Sequence, residues 1–574
     1  MKKIISVVLS IAMLMSLLAI STSAESKDDG VMSFAVASDL HYVEPTSEID
    51  HDIDDPIFYY ANRRAQMEHE SGFIIDEFLR QCAENDDCEF ILIPGDLAND
   101  GKSNLQQHLD VAEKLKRFEE ETGKPVYVIA GNHDIGYDCA TTPEVFKEVY
   151  SEFGYDEALE VVDGNCSYTA DIGDNYRLIA ADSCDPSKST EDGLTTDRLS
   201  WIVDQAKKAK EDGKYPILMM HHNLLDHLPA QRLISRNFII RWHLSTAEIL
   251  ADSGIKLVFT GHEHCSDAAT YTSLLGNVIY DFATTSLTMY PLEYRMFYMT
   301  DDEIRYENKK ITSIDTQALS KAVPEFTDEQ IALMDEDFEA YSKEFFHHSI
   351  KYRLGRDLNF DKMGIEEDAF YYNVVKAAVT GLTDILEMPF YGENSVQELA
   401  AEYGLEIPES DYETPWHLVT ALVGMHYAGS EYYDLESTEV TMLLRTLVLI
   451  LRDDFAGIFD TFYLVNLANQ ALAGMGIDSL PKELTKLGIK VFGSVNAAEY
   501  AILGLISPLL YKFAYDNDGV DDNNGSLPGY GTVNIQSNLN NIVNNYKTLT
   551  DKIVFYVTMM VKYMFKGINI PVTF

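Results

Sequence analysis

The sequence predicts an α/β unit over residues 25–310 and an all-helical region over residues 311–574, and three observations carry that expectation. Short apolar runs, often β-branched, alternate with segments of helical periodicity as far as Thr300. The runs hand over to polar segments, several of them through Gly or Pro. Beyond Thr300 such runs stop and long helical patterns take over. Alternating strand and helix argue for an α/β architecture, and 574 residues at 46% hydrophobic composition provide material for two cores.

The chain opens with Lys2 and Lys3, an apolar stretch from Ile4 to Ile20, and the small residues Thr22-Ser23-Ala24. This is the pattern of an export signal cleaved near Ala24, so residues 1–24 are read as a signal peptide and the protein as secreted or extracytoplasmic. No cysteine stands at the cleavage point to carry a lipid anchor. The strand-like runs are Phe34–Ala37, Phe90–Ile93, Val126–Ile129, Ile217–Met220 and Leu257–Phe259. Helices are expected over Asn104–Glu121 and over Thr195–Lys210, where Leu199, Ile202, Val203 and Ala206 share one face behind a Thr/Asp start signal. His41–His69 is polar, acidic and aromatic, and reads either as a lid or specificity element or as a surface loop.

In the second half, helical patterns cover Thr327–Arg353, Tyr371–Leu386, Val440–Arg452 and Ala497–Tyr515. Two apolar stretches, Val491–Leu510 and Ile553–Phe565, are interrupted by Glu499 and Pro508 or are short and carry Lys562. Neither meets the roughly 20-residue requirement for a span, so no transmembrane helix is expected in the mature chain. Asp516–Gly525 lacks the alternating acidic spacing of a calcium loop and reads as a solvated loop. His347-His348 has no partner pattern and is assigned to the surface.

The strand ends carry the chemistry. In order they are Asp39-Leu40-His41, Gly95-Asp96, Gly131-Asn132-His133-Asp134, His221-His222 and Gly261-His262-Glu263-His264. Carboxylate, imidazole and amide donors suit first-row ions such as Fe, Mn or Zn, and there are enough here for two ions. Strand ends in α/β sheets converge on one crevice, which lets scattered segments form one site.

In these five segments, in this order, the chain resembles the calcineurin-like metallophosphoesterases, over roughly Val31 to Thr300. The resemblance implies a two-sheet β-sandwich flanked by helices, followed here by the helical C-terminal region. It also implies a dinuclear centre with Asp39, His41, Asp96 and His264 on one ion, and Asp96, Asn132, His221 and His262 on the other, Asp96 bridging. The reaction it implies is attack on a phosphate ester by hydroxide generated at that centre, without a covalent enzyme intermediate. His133 would then act as general acid for the leaving oxygen, with Asp134 orienting its ring. A phosphodiester is favoured over a monoester, because Gly-Asn-His-Asp with His-His looks most like the phosphodiesterase side of the family. The rival reading is a non-catalytic surface-binding protein that keeps the metals for structure.

Further candidates for the substrate side are Arg63 and Arg64 in the acidic insert, His108, and His222. Tyr290, Tyr294 and Arg295 are either substrate-side or core residues. The net charge of −49 argues against nucleic acid polymers or an anionic bilayer as partners, leaving a small or lipid-linked phosphate ester drawn in by the metal ions. Six cysteines do not make a disulfide scaffold; Cys82 and Cys88 are the first pair to consider for a bridge, and Cys265 reads as a packed thiol or half of one.

Overall fold

The computed structural model describes residues 31–453 and 519–531, apart from residues 50, 52, 186, 188–191, 228–230, 232–236, 358–371, 403 and 434–436. The export signal, the helix expected over Ala497–Tyr515 and the apolar stretches Val491–Leu510 and Ile553–Phe565 lie outside the described residues.

Among the described residues thirteen strands form two mixed sheets. They are β1 (Met32–Val36), β2 (Phe90–Ile93), β3 (Val126–Val128), β4 (Glu160–Val161), β5 (Tyr168–Ile172), β6 (Tyr176–Ala180), β7 (Tyr215–Met219), β8 (Leu257–Thr260), β9 (Asp267–Thr272), β10 (Val278–Ala283), β11 (Glu293–Met299), β12 (Glu303–Lys310) and β13 (Asn524–Pro528). The first sheet runs β13-β12-β11-β1-β2-β3 and the second β4-β5-β6-β7-β8-β10-β9. β1, β2 and β3 are mutually parallel, as are β6, β7, β8 and β10, so the central strands of each sheet end on one side of the molecule. β1, β2, β3 and β8 are buried along their whole length, which is why their sequences are apolar runs without alternation.

Aromatic rings from the two sheets interlock between them. Phe34 of β1 stacks on Phe90 at 4.7 Å and on Phe297 at 5.4 Å, and meets Phe259 of the other sheet edge-on at 5.7 Å. Phe282 closes the layer against Phe297 at 5.0 Å and Tyr306 at 4.8 Å. Helices cover the outer faces. α1 (Ser71–Glu84) and α2 (Leu105–Thr122) lie on the first sheet, Phe78 meeting Tyr294 at 4.9 Å. α3 (Pro143–Val149) follows β3, and α4 (Thr196–Glu211) and α5 (His243–Ser253) lie on the second sheet. The Asn104 and Thr195 side chains cap α2 and α4, and Ile202 and Ala206 of the expected stripe are fully buried while Leu199 and Val203 pack at its edge.

Among the described residues the helical region comprises α6 (Thr316–Ala322), α7 (Asp328–Glu336), α8 (Phe338–Asp357), α9 (Tyr372–Glu387), α10 (Val396–Glu402), α11 (Pro415–Tyr427) and α12 (Thr438–Asp453). The single helix expected over Thr327–Arg353 is two. Asp337 adopts extended backbone between them and its carboxylate accepts from Ala340 N at 2.9 Å, a local bond that competes with helix continuation. Leu319, Val323, Phe326, Phe338, Tyr341 and Phe345 join the sandwich's own core, whereas α9–α12 gather a separate one around Phe390, Leu418 and Leu449.

Three further expectations are corrected, and the choice left open for Arg295 is decided. Strands do not stop at Thr300: β12 follows it, and β13 returns to pair with β12 from within the segment read as a solvated loop. Asp522, just before β13, is buried and accepts from Ala268 N at 2.9 Å. Arg295 is a core residue, its guanidinium fully buried over the Phe282 ring and bonded to Asp522 O, Ala283 O and Ser266 Oγ. His347 and His348 are not free on the surface, since His347 stacks on His417 at 4.3 Å and bonds Thr420 Oγ1, and His348 stacks on Phe58 at 4.7 Å. All six cysteines are free thiols. Cys82 and Cys88 sit together in the core, hydrogen-bonded rather than bridged, with Cys88 Sγ also directed at Phe90 O.

Among the described residues no helix is long and apolar enough to cross a membrane. Because Phe34 packs on rings from both sheets, Phe34→Ala is expected to lower unfolding stability by about 3–5 kcal/mol, read as a shift in the urea midpoint at unchanged slope.

Candidate metal centre

Seven donor side chains from five strand ends meet at the side where the parallel strands of both sheets terminate. Asp39 and His41 follow β1, Asp96 follows β2, Asn132 follows β3, His221 follows β7, and His262 and His264 follow β8. Backbone bonds join the loops directly: Asp39 N donates to Gly95 O and His41 N to Asp96 O, at 3.1 and 3.0 Å. Asp39, His41, Asp96, His262 and His264 all have positive φ, between 41° and 67°, although none is glycine. Such backbone is strained for these residue types, and its concentration on five of the seven donors marks a site whose geometry is imposed by its surroundings.

Glycines make the close approach possible. A Cβ on Gly131 would lie 2.2 Å from Asp96 Oδ1 and 2.3 Å from Asp96 N. One on Gly261 would lie 2.0 Å from Ser38 Oγ and 2.2 Å from Asp39 Oδ2. Neither position leaves room for any side chain.

The donors form two groups sharing Asp96. In the first, His41 Nε2 lies 3.2 Å from His264 Nε2, and 3.7 Å from both Asp39 Oδ1 and Asp96 Oδ2; His264 Nε2 lies 3.1 Å from Asp39 Oδ1. In the second, His221 Nε2 lies 3.0 Å from Asn132 Oδ1, 3.1 Å from His262 Nδ1 and 3.2 Å from Asp96 Oδ2. Donors bonded to one ion at roughly 2.0–2.2 Å stand about 3.0–3.5 Å from one another, the spacing seen throughout the second group and between His264 and its two neighbours, with His41 standing 3.7 Å from the two carboxylates. His221 Nδ1 donates to Pro94 O at 3.0 Å, so in the neutral ring Nε2 presents a lone pair toward two acceptor oxygens, Asn132 Oδ1 and Asp96 Oδ2, and a second imidazole nitrogen. Lone pairs converging in this way fit a cation. Asp39 Oδ1 is likewise buried without a hydrogen-bond donor, while its Oδ2 accepts from Ser38 Oγ at 2.6 Å and His262 N at 3.0 Å.

The electrostatics agree. Burial works against charge on Asp39 and Asp96, yet the surrounding imidazoles hold both carboxyls well below their usual range. Burial holds His41 down to about 3 and His262 far below the ordinary histidine range. Burial also opposes charge on His221, but the Asp96 carboxylate prevails and lifts it to about 9. The group thus seeks positive charge beside Asp96, which either a proton on His221 or a metal ion supplies.

His133 and His264 are the partly exposed members and define the mouth. His133 stands edge-on to His41 at 4.8 Å, one of its ring nitrogens within 4.8 Å of donors on His41 and Asp96. Its Nδ1 donates to the Asn99 carbonyl at 2.6 Å, and its backbone N donates to Asp96 Oδ1 at 2.7 Å. Asp134 does not orient the ring. Its fully buried carboxylate accepts from Gly131 N at 2.7 Å, Ala98 N at 3.1 Å and Leu97 N at 3.3 Å, so it ties the two metal-donor loops together. Burial and the neighbouring Asp96 raise its pKa to about 8.

His108 and His222 are fully buried and do not reach the mouth. His108 bonds Tyr150 OH at 3.0 Å and the Asp134 carbonyl at 3.2 Å; His222 bonds Ser183 Oγ at 3.0 Å and lies 4.4 Å from the His262 ring. Both support donor loops from behind. Arg63 points into an exposed position, whereas Arg64 reaches inward and donates to Asn99 Oδ1 at 2.6 Å. Asn99 and Phe238, whose ring stacks on His262 at 4.3 Å, were not identified from sequence. Asn99 acts through its main chain, which carries no residue signature, although its place three residues after Asp96 sets it on the same loop.

The sequence pattern of the calcineurin-like phosphoesterase family matches residues 32–266. A protein of Synechococcus sp. described as a probable cyclic nucleotide phosphodiesterase is 31% identical over 138 residues, 23% of this chain and 42% of that one. The uncharacterized metallophosphoesterase YhaO of Bacillus subtilis is 34% identical over 103 residues, 18% of this chain and 23% of that one. This chain therefore spans less than half the length of either relative. Among solved structures, a dimetal phosphatase from Danio rerio is 11% identical, with 49% of this chain and 96% of that one covered at a TM-score of 0.35.

Since Asp96 belongs to both donor groups, Asp96→Asn is expected to cut bound metal from two ions per chain to one or none, measured by elemental mass spectrometry after gel filtration. Retention of both ions, with the far-UV circular dichroism unchanged, would remove Asp96 from its bridging position.

Proposed function

With a calcineurin-like phosphoesterase domain over residues 32–266 as premise, we propose that the protein is an exported hydrolase of a small or lipid-linked phosphate ester, a phosphodiester ahead of a monoester. The observation that carries this reading is the convergence of two carboxylates, four imidazoles and an amide on two spaces that share Asp96. When bound there, two ions would neutralise phosphoryl charge and lower the pKa of a bound water toward neutrality. Asp39, His41, Asp96 and His264 would hold one ion, and Asp96, Asn132, His221 and His262 the other. Iron, manganese and zinc all suit this donor set.

The chain's own residues then divide the work. His133 sits at the mouth with Nδ1–H committed to the Asn99 carbonyl, which leaves Nε2 as the nitrogen open to the reaction centre. As the imidazolium it gives the Nε2 proton to the leaving oxygen and reverts to the neutral Nδ1–H tautomer, the form the carbonyl already holds. Asp134 keeps the loops of Asp96 and Asn132 in register, so its part is to place donors. The preference for a diester is supported by the Synechococcus relative, a probable cyclic nucleotide phosphodiesterase, and by the His221-His222 segment beside Gly-Asn-His-Asp. Export is supported by residues 1–24, and the strongly acidic surface favours a small substrate over a polyanion.

The test is hydrolysis of bis(p-nitrophenyl) phosphate and p-nitrophenyl phosphate by the protein loaded with Mn²⁺, Zn²⁺ or Fe. The diester is expected to be cleaved faster, and EDTA to abolish turnover. His133→Ala is expected to lower kcat on an alkyl phosphodiester by about 10²–10⁴-fold with both ions retained. A monoester preference would reassign the substrate class. No turnover of either ester with two ions bound would favour the non-catalytic alternative.

A further inference from the structure

The insert before α1 carries Arg64 to the residue that holds His133, and helix α8 of the helical region holds the insert. We propose that Arg64 is a positioning residue for His133, through Asn99, and that the helical region acts on the reaction centre by this route. The inference rests on the phosphoesterase reading above and on His133 as its acid.

Asn99 is buried at the mouth and engaged on every side. Its carbonyl accepts from His133 Nδ1 at 2.6 Å, and its backbone N donates to Tyr42 O at 3.1 Å. Its side-chain amide is fixed at both ends, Nδ2 donating to Asp100 Oδ2 at 3.2 Å and Oδ1 accepting from Arg64 Nη1 at 2.6 Å. The bond from a guanidinium is charge-assisted and shorter than an ordinary N–H···O contact. Without it, Asn99 loses the contact that opposes Asp100, and the peptide whose carbonyl orients the His133 ring keeps only its backbone anchors, Asn99 N to Tyr42 O at 3.1 Å and Asp100 N to Gln107 Oε1 at 2.7 Å, with no side-chain hold from the insert.

Arg64 is itself held in a closed turn. Its backbone N donates to Asn62 Oδ1 at 3.0 Å, Ala65 N donates to Asn62 O at 3.0 Å, and Asn62 Nδ2 donates to Gln66 O at 2.8 Å. Ala65 takes a φ of 58°, a conformation that persists only where surrounding contacts impose it. Those contacts come from α8: Ser349 Oγ accepts from Asn62 N at 3.2 Å, and Phe346 and Ile350 pack around Ala65 together with Met289. Upstream, Phe58 lies on His348 at 4.7 Å and Tyr341 at 5.3 Å, and Tyr60 shares a hydrogen bond with Tyr341. The insert is thus docked on the helical region rather than standing as a loose loop. From Ser349 to Asn62, Arg64, Asn99 and His133, every step is a hydrogen bond or one side chain.

An acid defect has its own signature. A p-nitrophenolate leaves without needing a proton, whereas an alkoxide does not, so poor orientation of His133 slows the alkyl ester selectively. Loss of metal or of fold slows both esters alike. The experiment measures kcat for methyl p-nitrophenyl phosphate and dimethyl phosphate analogues bearing an alkyl leaving group, with metal content and melting temperature, for full-length wild type, Arg64→Ala, Arg64→Lys and Ser349→Ala. Arg64→Ala is expected to slow the alkyl diester at least tenfold more than the aryl diester, at unchanged metal content. Arg64→Lys should recover part of that difference, and Ser349→Ala should shift it in the same direction by less. An equal fall on both esters, or none on either, overturns the proposal while leaving the phosphoesterase reading intact. Failure of the wild type to cleave either ester with both ions bound removes that reading, and this inference with it.

Discussion

Two buried carboxylates, Asp39 and Asp96, set the terms for the rest of the structure. An ionised carboxylate out of water is costly unless donors or cations meet it, and here both are kept ionised inside a cluster where burial holds His41 and His262 neutral while Asp96 lifts the buried His221. The cluster therefore works only if positive charge arrives at a fixed place between the two donor groups. Much of the local architecture follows from that demand. The parallel strands of both sheets must end on one side, the turns after them must accept positive φ at the donors, and Gly131 and Gly261 must lack a Cβ so that neighbouring loops can close on Asp96 and Asp39. The interlocked rings of Phe34, Phe259, Phe282 and Phe297 hold the sheets at the separation this convergence needs.

What was legible in the sequence is what depends on local order along the chain. A buried strand followed by a polar donor, in three cases through Gly, is visible as an apolar run and a break, and five such ends located every donor segment of the centre. Periodicity could not separate one sheet from two, because strands buried on both faces do not alternate; the two-sheet expectation came from resemblance alone. Functions carried by the main chain were also out of reach. Asp134 follows His133 in sequence and so reads as its partner, but its side chain turns to three backbone N–H groups, leaving the Asn99 carbonyl to hold the ring. β13 escaped notice for a related reason: Asn-Gly-Ser-Leu-Pro has little strand propensity and becomes a strand through the ladder that β12 offers at the sheet edge. Arg295, whose buried guanidinium ties Asp522 into the core before that strand, has no signal in its neighbours.

The helical region is bound to the site at two places, and together they argue against reading it as an appendage. One is the insert, which α8 fixes and which ends at Arg64 and Asn99 beside His133. The other lies across the mouth, where Ser266 N, two residues past His264, donates to Tyr427 O at the end of α11. Gly429 follows at a φ of 55°, and a Cβ there would lie 2.1 Å from Ser266 O, so the turn after α11 is shaped to lie against the chain leaving the donor segment. Asn523 completes this clamp by donating to Ala428 O and Gly429 O at 2.9 and 2.8 Å, from the same short segment that continues into β13. A chain that uses residues 519–531 to close the sheet and brace the loop after His264, and α8 to hold the insert beside His133, has distributed the geometry of one donor site over both of its parts. The sandwich supplies the donors, and the helical region restrains the two loops that flank them.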